Sequence, residues 1–268
     1  MAINFAVTVD EHRHVQSRRS SCRQALGGDE CAALAGIGIT VAFEPGQTIV
    51  VEGDPITHYF RVLGGMVRLY NAIADGRRQV IDFLREGECF GLTGLERHAY
   101  SVEAIGRVSM VRYPRQQVET ALQTNPLLAR RLFELACAEL RQAQRQMLLL
   151  GRKSAEEKIA SFLLMLAERA DDAGEVEDAL HLPMSRQDMA DYLGLTIETV
   201  SRTLTRFRNR GLIALPGRQQ VALCAPDRLQ GLADGGGLPP WDVIRNRPDR
   251  GPGLATGTIV RVGRSRSG

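Results

Sequence analysis

One stretch constrains the fold of this chain more than any other; it runs from Pro183 to Gly211 and reads PMSRQDMADYLGLTIETVSRTLTRFRNRG. Ser185 can cap a short helix that we predict over Arg186 to Leu193, and Asp188 can complete a shortened capping box. Gly194 then permits the left-handed backbone conformation that a sharp exit requires. The pattern predicts two helices separated by a tight turn, which is typical of a helix-turn-helix.

A second, basic helix follows the turn and is capped by Thr196. Its apolar side chains recur after 3, 4 and 3 residues and predict a buried face. Three apolar side chains of the first helix predict a buried side there as well. The residues expected to be buried are Met189, Tyr192, Leu193, Ile197, Val200, Leu204 and Phe207.

Another face of the second helix carries side chains that can bind base edges. It presents Glu198, Ser201 and Arg202 in one patch near the helix N-terminus, the end that a recognition helix inserts into the major groove. Arg202 can bind guanine O6 and N7, and Glu198 can accept a hydrogen bond from a cytosine amino group. The alternative is a solvated basic helix with an ordinary Glu–Arg pair. The capped first helix and the glycine turn favour binding to double-stranded DNA.

The same region is predicted to contact DNA phosphates. From Thr196 to Arg210 there are four arginines and one glutamate, a net charge of +3. Such a charge suits the DNA backbone, whereas the net charge of the whole chain, also +3, indicates little by itself. The predicted backbone contacts are Arg186, Thr196, Thr199, Arg206, Arg208 and Arg218.

Composition narrows the class of protein. A chain of 268 residues with 44% hydrophobic residues can form one or two domains with real cores. It has no secretory signal and no apolar run of about 18 residues, so we expect a cytoplasmic protein without a membrane partner. Its five scattered cysteines do not suggest a disulfide framework. Catalytic and metal-ligand spacings are lacking, so we predict no enzyme activity, no metal and no cofactor.

Residues from about Thr40 to Tyr113 alternate short β-rich runs with glycine-containing turns. Closely spaced short strands predict a β-roll or jelly roll. The strands are expected at 47–51, 59–63, 66–70, 78–84, 100–105 and 108–112.

A long helical stretch follows, from about Arg115 to Leu150, with a turn-like break at Thr124-Asn125-Pro126 and an end at Gly151. A first apolar stripe on this helix recurs at heptad spacing and predicts a dimer interface; the alternative is a helix buried wholly in its own domain. A second apolar stripe, at Leu128, Leu132 and Leu135, can pack on the roll. The interface residues would be Phe133, Ala136, Leu140, Ala143, Met147 and Leu150.

The C-terminal part is predicted to be a winged helix-turn-helix. Ser154 and Glu157 form a capping box for a helix ahead of the motif, and Leu180 to Leu182 is a short strand. After the motif, Leu212 to Ala214 and Gln220 to Leu223 would form a β-hairpin wing with Arg218 at its tip.

These elements predict an α+β fold with a β-roll, a long dimerisation helix and a winged helix-turn-helix. The sequence from Gly231 onwards lacks the composition of a core and is predicted to be disordered. The predicted organisation is a mobile arm at 1–28, a sensor-like β-roll at 29–117, a dimerisation helix at 118–151, a DNA-binding domain at 152–230 and a disordered tail at 231–268.

The motif SRQDMADYLGLTIETVSRTLTRF resembles the helix-turn-helix of the Crp/Fnr superfamily of bacterial transcription regulators, and most of all its FixK-like and FnrN-like branch. Glu198, Ser201 and Arg202 match the family motif E-x-x-S-R. That match implies recognition of a TTGAT half-site and its inverted repeat, TTGAT-N4-ATCAA. The branch that reads TGTGA carries a basic residue where this chain has Ile197, so Ile197 is added to the predicted base-reading set.

The resemblance extends over PGQTIVVEGD and LREGECFG in the roll and over LLLGRKSAEEKIASFLLMLAERA ahead of the motif. It implies a cyclic-nucleotide-binding-like jelly roll and a homodimer that contacts RNA polymerase. It also implies a transcription activator of low-oxygen or nitrogen-related genes. The alternative is a redox- or ligand-sensing regulator whose DNA affinity is set by a bound cofactor or a cyclic nucleotide.

The sensor chemistry of the family is only partly represented. Oxygen-sensing relatives hold an iron-sulfur cluster with three cysteines in the N-terminal arm and one in the roll. Here the arm supplies Cys22, with Cys31 in a predicted helix, and Arg112 stands where some relatives place the distant cysteine. Substitutes for the missing ligands could be His12, His14 and Cys89.

Cyclic-nucleotide-binding relatives use a glutamate after a glycine for the ribose and an Arg-Ser pair for the phosphate. Here Gly91 is followed by Leu92, and the pair is Tyr100-Ser101, so the phosphate pocket is predicted to be lost unless Arg97 or Arg107 reaches it. Haem ligation would require His58 or His98, both expected to be exposed residues on turns.

Overall fold

A computed structural model describes residues 34, 36–92, 95–172 and 179–236. The predicted arm at 1–28 lies outside the described residues, as do Cys22, Cys31, His12 and His14. The predicted disorder of the tail also concerns residues outside this range beyond position 236.

The N-terminal half of the described chain is an antiparallel β-roll. Its strands pair in the order β1-β6-β3-β4, with β2 on β6 and β5 on β3. The strands are β1 (Ile39–Phe43), β2 (Thr48–Val50), β3 (His58–Ala72), β4 (Arg78–Arg85), β5 (Cys89–Phe90) and β6 (Ser101–Pro114). Alternate side chains of β3 and β6 fill the roll, including Val62, Val67, Val102 and Met110.

Two predicted strand breaks are wrong. β3 runs through Gly64-Gly65 and β6 runs through Gly106, so each is one long strand instead of two. The β3–β6 register shifts on both sides of Gly64, and Gly65 has a φ of 85°. A Cβ atom on Gly65 would overlap the carbonyl oxygen of Arg107. The glycines therefore permit bulges and a close strand approach, and do not end the strand.

Two helices follow the roll: α1 (Arg115–Thr124) and α2 (Pro126–Arg152). Asn125 separates them, and its side-chain oxygen accepts a hydrogen bond from the Leu128 amide at 3.0 Å. The predicted stop at Gly151 is wrong by one residue, since α2 ends at Arg152. The predicted second stripe packs on the roll: Leu128 is fully buried, and Leu132 and Leu135 pack on the same cluster.

The C-terminal part is a helical core with a small three-stranded sheet of order β7-β9-β8. Its elements are α3 (Ala155–Asp172), β7 (Leu180–His181), α4 (Arg186–Leu193), α5 (Ile197–Asn209), β8 (Ile213–Gly217), β9 (Gln220–Leu223) and α6 (Pro226–Ala233). The predicted capping box of α3 is confirmed by hydrogen bonds between Ser154 and Glu157. The α+β fold class with a β-roll, a long helix and a winged helix-turn-helix is confirmed.

Helix α6 was not predicted, and it crosses the predicted start of the tail at Gly231. Leu229, Leu232 and Ala233 are buried in the C-terminal core. The Lys153 ammonium donates hydrogen bonds to the Ala233 carbonyl at 2.9 Å and to Ser161 at 2.7 Å. The packed part of the chain therefore extends three residues past the predicted boundary at 230.

Strand β4 contributes to the C-terminal core as well as to the roll. Val80 and Phe83 are buried among residues of α3 and α4. The Phe83 ring lies 6.3 Å from that of Phe162 and 5.5 Å from that of Tyr192, measured between centroids. The roll is therefore in direct apolar contact with the helix-turn-helix.

Candidate nucleic-acid interface

The first helix of the predicted motif forms as expected. The Ser185 hydroxyl accepts from the Asp188 amide at 3.1 Å, and the Ser185 amide donates to the Asp188 carboxylate at 2.9 Å. This reciprocal capping box starts α4, and Gly194 ends it with a φ of 60°. Leu195 and Thr196 then complete the turn between α4 and α5.

Helix α5 has one buried and one exposed face. Thr196 caps it by accepting from the Thr199 amide at 3.2 Å. Val200, Leu204 and Phe207 are buried as predicted. Ile197 was expected on the same face, but it is 37% exposed because it lies in the first turn, beyond the contact with α4.

The predicted base-reading side chains share the exposed face. Glu198, Ser201 and Arg202 are all exposed near the N-terminus of α5, next to Ile197. Within the described ranges, the side chains of Glu198 and Arg202 form no ion pair with each other or with another residue. The Glu198 carboxylate, the Ser201 hydroxyl and the Arg202 guanidinium are therefore available to bind groups outside the protein.

Three of the predicted phosphate-contacting residues are arginines of α5 and of the wing. Arg208 and Arg218 are exposed, Arg218 in the turn between β8 and β9. Arg206 is also exposed, but it forms an ion pair with Glu156 of α3, and Arg210 lies 3.6 Å from the same carboxylate. Glu156 was not singled out from the sequence. It ties the C-terminal end of α5 to α3.

The remaining predicted phosphate contacts lie at the helix starts. Thr196 and Thr199 share a hydroxyl contact of 3.0 Å. Arg186 is half-buried, with Nη1 3.3 Å from the Met189 sulfur, and burial lowers the pKa of its guanidinium from the ordinary value. The hydroxyls of Thr196 and Thr199 lie at the N-terminus of α5, where the helix dipole favours an anion.

The predicted dimer seam lies mostly on the exposed side of α2. Phe133 is 69% exposed, Leu140 61% and Met147 72%. Ala136 and Ala143 are exposed between them. Leu150 differs, since it is half-buried and packs against the C-terminal core.

The roll residues considered for a cyclic phosphate are engaged in the roll itself. Tyr100 accepts a hydrogen bond from the Gly91 amide at 3.3 Å, and the buried Ser101 hydroxyl accepts from the Glu52 amide at 3.0 Å. Arg97 donates to the Gly53 carbonyl at 2.7 Å. Arg107 lies on the surface, 3.3 Å from Glu44. Arg97 and Arg107 thus each have a partner in the roll.

The two histidines of the roll were expected to be exposed on turns, and this is wrong for His98, which is only 5% exposed. Burial lowers the pKa of His98, while the Asp54 carboxylate acts in the opposite direction. His58 begins β3, and burial and Arg112 both lower its pKa. Among the described residues, no three His, Cys, Asp or Glu side chains are grouped as a metal site would require.

A β-roll joined through a long helix to a winged helix-turn-helix defines a class of DNA-binding transcription regulators. A model of the Crp-like helix-turn-helix domain matches residues 157–232, and a model of the cyclic nucleotide-binding domain matches residues 40–125.

Similar proteins from several bacteria are also named as transcription regulators. The chain is 42% identical over 216 residues to the nitrogen fixation regulation protein FixK of Bradyrhizobium diazoefficiens, across 81% of this chain and 91% of FixK. It is 37% identical over 236 residues to the transcriptional activator protein FnrL of Cereibacter sphaeroides, across 85% and 92%. The solved structure of FixK2 from Bradyrhizobium japonicum matches with a TM-score of 0.70 at 37% identity, over 73% of this chain and 97% of that one.

The chain therefore belongs to the Crp/Fnr superfamily of transcription regulators, in the branch that contains FixK. Its relatives are regulators and not enzymes. No helix in the described ranges is both long enough and apolar enough to cross a membrane.

Proposed function

We propose that this protein is a homodimeric transcription activator that reads a TTGAT-N4-ATCAA-like inverted repeat in double-stranded DNA. The observation that carries the proposal is the exposed face of α5. There Glu198, Ser201 and Arg202 are free to contact bases while the opposite face is buried. Arg202 would bind a guanine edge, Glu198 would accept from a cytosine amino group, and Ser201 would adapt to either base.

The dimer part of the proposal rests on α2. Its exposed apolar side chains Phe133, Leu140 and Met147 recur at intervals of seven residues, which suits a coiled-coil seam between two copies. A two-fold dimer would present two recognition helices about one DNA turn apart. Two copies therefore fit an inverted repeat, with RNA polymerase as the further partner of an activator in the cytoplasm.

The physiological part rests on the relatives. FixK is named for the regulation of nitrogen fixation, and FnrL is named as a transcriptional activator. We accordingly assign the protein to control of low-oxygen or nitrogen-related genes.

Competition binding tests the DNA-reading proposal. The full chain is titrated with a labelled TTGAT-N4-ATCAA duplex against unlabelled competitor of the same sequence or of scrambled sequence. We expect the scrambled competitor to be at least about a thousandfold weaker, the lower end of specificity ratios for such proteins. Equal competition by both duplexes would overturn the proposal.

A further inference from the structure

Side chains of the β-roll hold the first helix of the helix-turn-helix, and no feature of the sequence marked them for this role. We name this set the junction cluster: Arg68, Arg78 and Gln79 of the roll with Asp188 and Asp191 of α4. Its members are brought together from positions more than a hundred residues apart in the chain.

The charges of the junction cluster are largely removed from water. Arg68 Nη1 lies 2.6 Å from Asp188 Oδ1, and the two side chains are only 15% and 4% exposed. The other terminal nitrogen of Arg68 pairs with Glu103 of the neighbouring strand β6. Moving Asp188 away from Arg68 would leave a buried charge without its partner, which is energetically costly. The ion pair therefore favours one position of α4 relative to the roll.

A second arginine pairs with the same helix. Arg78 Nη2 lies 3.3 Å from Asp191 and 3.7 Å from Asp188. The Arg78 guanidinium also lies over the Tyr70 ring, 5.5 Å from its centroid. Asp188 thus completes the capping box of α4 and also pairs with two arginines from the roll.

The other end of α4 is held through its backbone. Gln79 Nε2 donates to the Asp191 carbonyl at 2.7 Å, and Gln146 Nε2 of α2 donates to the Tyr192 carbonyl at 2.9 Å. These carbonyls belong to the last turn of the helix, where partners within the helix are lacking. The roll and the long helix therefore fix both ends of α4.

Fixing α4 also fixes the recognition helix. Only Gly194, Leu195 and Thr196 separate α4 from α5, and the two helices share a core that includes Met189 and Val200. The direction of α5 relative to α2 follows from the position of α4.

We propose that Arg68 and Arg78 are positioning residues for DNA recognition: they set the angle at which the roll and long helix present α5, and so set the half-site spacing that the dimer accepts. The proposal rests on the proposed function, because spacing has meaning only for a dimer on an inverted repeat. Neither arginine needs to contact DNA. The roll contributes to sequence reading through these contacts even without a ligand.

Spacer selectivity is the readout that a merely structural role would not change. The full chain is titrated with duplexes that differ only in carrying three, four or five base pairs between TTGAT and ATCAA. The ratio of the affinities for two duplexes, measured with one preparation, is unaffected if part of the protein is unfolded, because an unfolded fraction lowers both apparent affinities equally. Wild type and the variants Arg68→Met and Arg78→Met are compared with Arg77→Met, whose 76% exposed side chain pairs with Asp75 in a surface turn.

We expect Arg68→Met and Arg78→Met to reduce the preference for the four-base-pair spacer at least about fivefold, the lower end of couplings between protein sites. Arg77→Met should retain the wild-type ratio. Should Arg68→Met not fold, Arg78→Met, Asp191→Asn and the double variant form a cycle. If the two residues act as a pair, the double variant loses less selectivity than the sum of the two singles.

Equal weakening on all three spacers would overturn the positioning role while leaving the proposed function intact. A wild-type protein that binds the four-base-pair duplex no better than a scrambled one would instead remove the proposed function, and with it this inference.

Discussion

At the scale of single residues, the DNA reading that we propose depends most on Arg202. Its guanidinium is exposed, and within the described part of the chain it has no ion-pair partner. Arg206, four residues on, is held by Glu156. Similar arginines on one helix thus have different surroundings, and we propose different roles for them.

Replacing Arg202 tests this division. We expect Arg202→Ala to cost about 1–3 kcal/mol of binding free energy at the cognate site and to relax discrimination at the guanine. Titration of duplexes with single substitutions at that base measures both effects.

The matched control is Arg208→Ala on the same helix. It should weaken binding to all sequences alike and reduce the slope of log K against log salt by about 2, since each copy of the dimer loses one phosphate contact. A uniform loss for Arg202→Ala, with the guanine preference intact, would contradict the assignment of Arg202 to base reading.

His98 gives a prediction about pH. Burial lowers its pKa in the folded protein, so the folded state binds fewer protons than the unfolded state below the ordinary pKa of about 6.5. The contribution of neutral His98 is present above that pH and is lost as pH falls below it. We therefore expect the free energy of unfolding in urea to decrease from pH 7.5 to 5.5, and His98→Gln to reduce that decrease. An unchanged pH profile in His98→Gln would show that other groups cause it.

At the scale of elements, the exposed stripe of α2 is the dimer interface that we propose. Leu140→Glu places a charge in the centre of the seam, where each copy would face a like charge, and we expect a monomer by sedimentation velocity. Arg145→Glu places a carboxylate on the same helix at an exposed position opposite the predicted seam and should leave the dimer unchanged. A dimer that persists in Leu140→Glu would place the interface elsewhere.

The helix boundaries of the motif could be predicted because the signals are local. Ser185, Asp188, Gly194 and Thr196 act within four residues of the groups they satisfy, and the structure has each in its predicted role. The buried face of α5 follows from its periodicity in the same way. Its first member, Ile197, is exposed because it extends past the contact with the neighbouring helix.

The strands of the roll were less predictable because glycine has two uses. Gly64, Gly65 and Gly106 were interpreted as turns, whereas the structure uses them inside long strands. Which use applies depends on the partner strand and its register, which lie far away in sequence. Helix α6 was missed because its glycine and short length resemble a terminal linker.

At the scale of the whole molecule, the roll and the helix-turn-helix are held together by apolar packing and by ion pairs. Phe83 lies in the core of the C-terminal part, and Arg68 contacts Asp188 across a sequence separation of 120 residues. Local signals cannot predict such a contact, since each residue alone resembles an ordinary surface charge or a helix cap. In the positioning role that we propose, the junction cluster lets the sensor-like roll influence DNA reading without a ligand.

Two copies of the chain would read an inverted repeat together, and a single titration can test this. The full protein is titrated into two duplexes that contain the same two TTGAT half-sites, arranged either as the inverted repeat or as a direct repeat. Length, base composition and phosphate number are equal, so non-specific binding is matched.

We expect two chains per inverted-repeat duplex and a markedly weaker complex with the direct repeat, because a two-fold dimer can place only one recognition helix correctly on it. Equal affinity for the two arrangements, or one chain per inverted repeat, would contradict reading by a two-fold dimer.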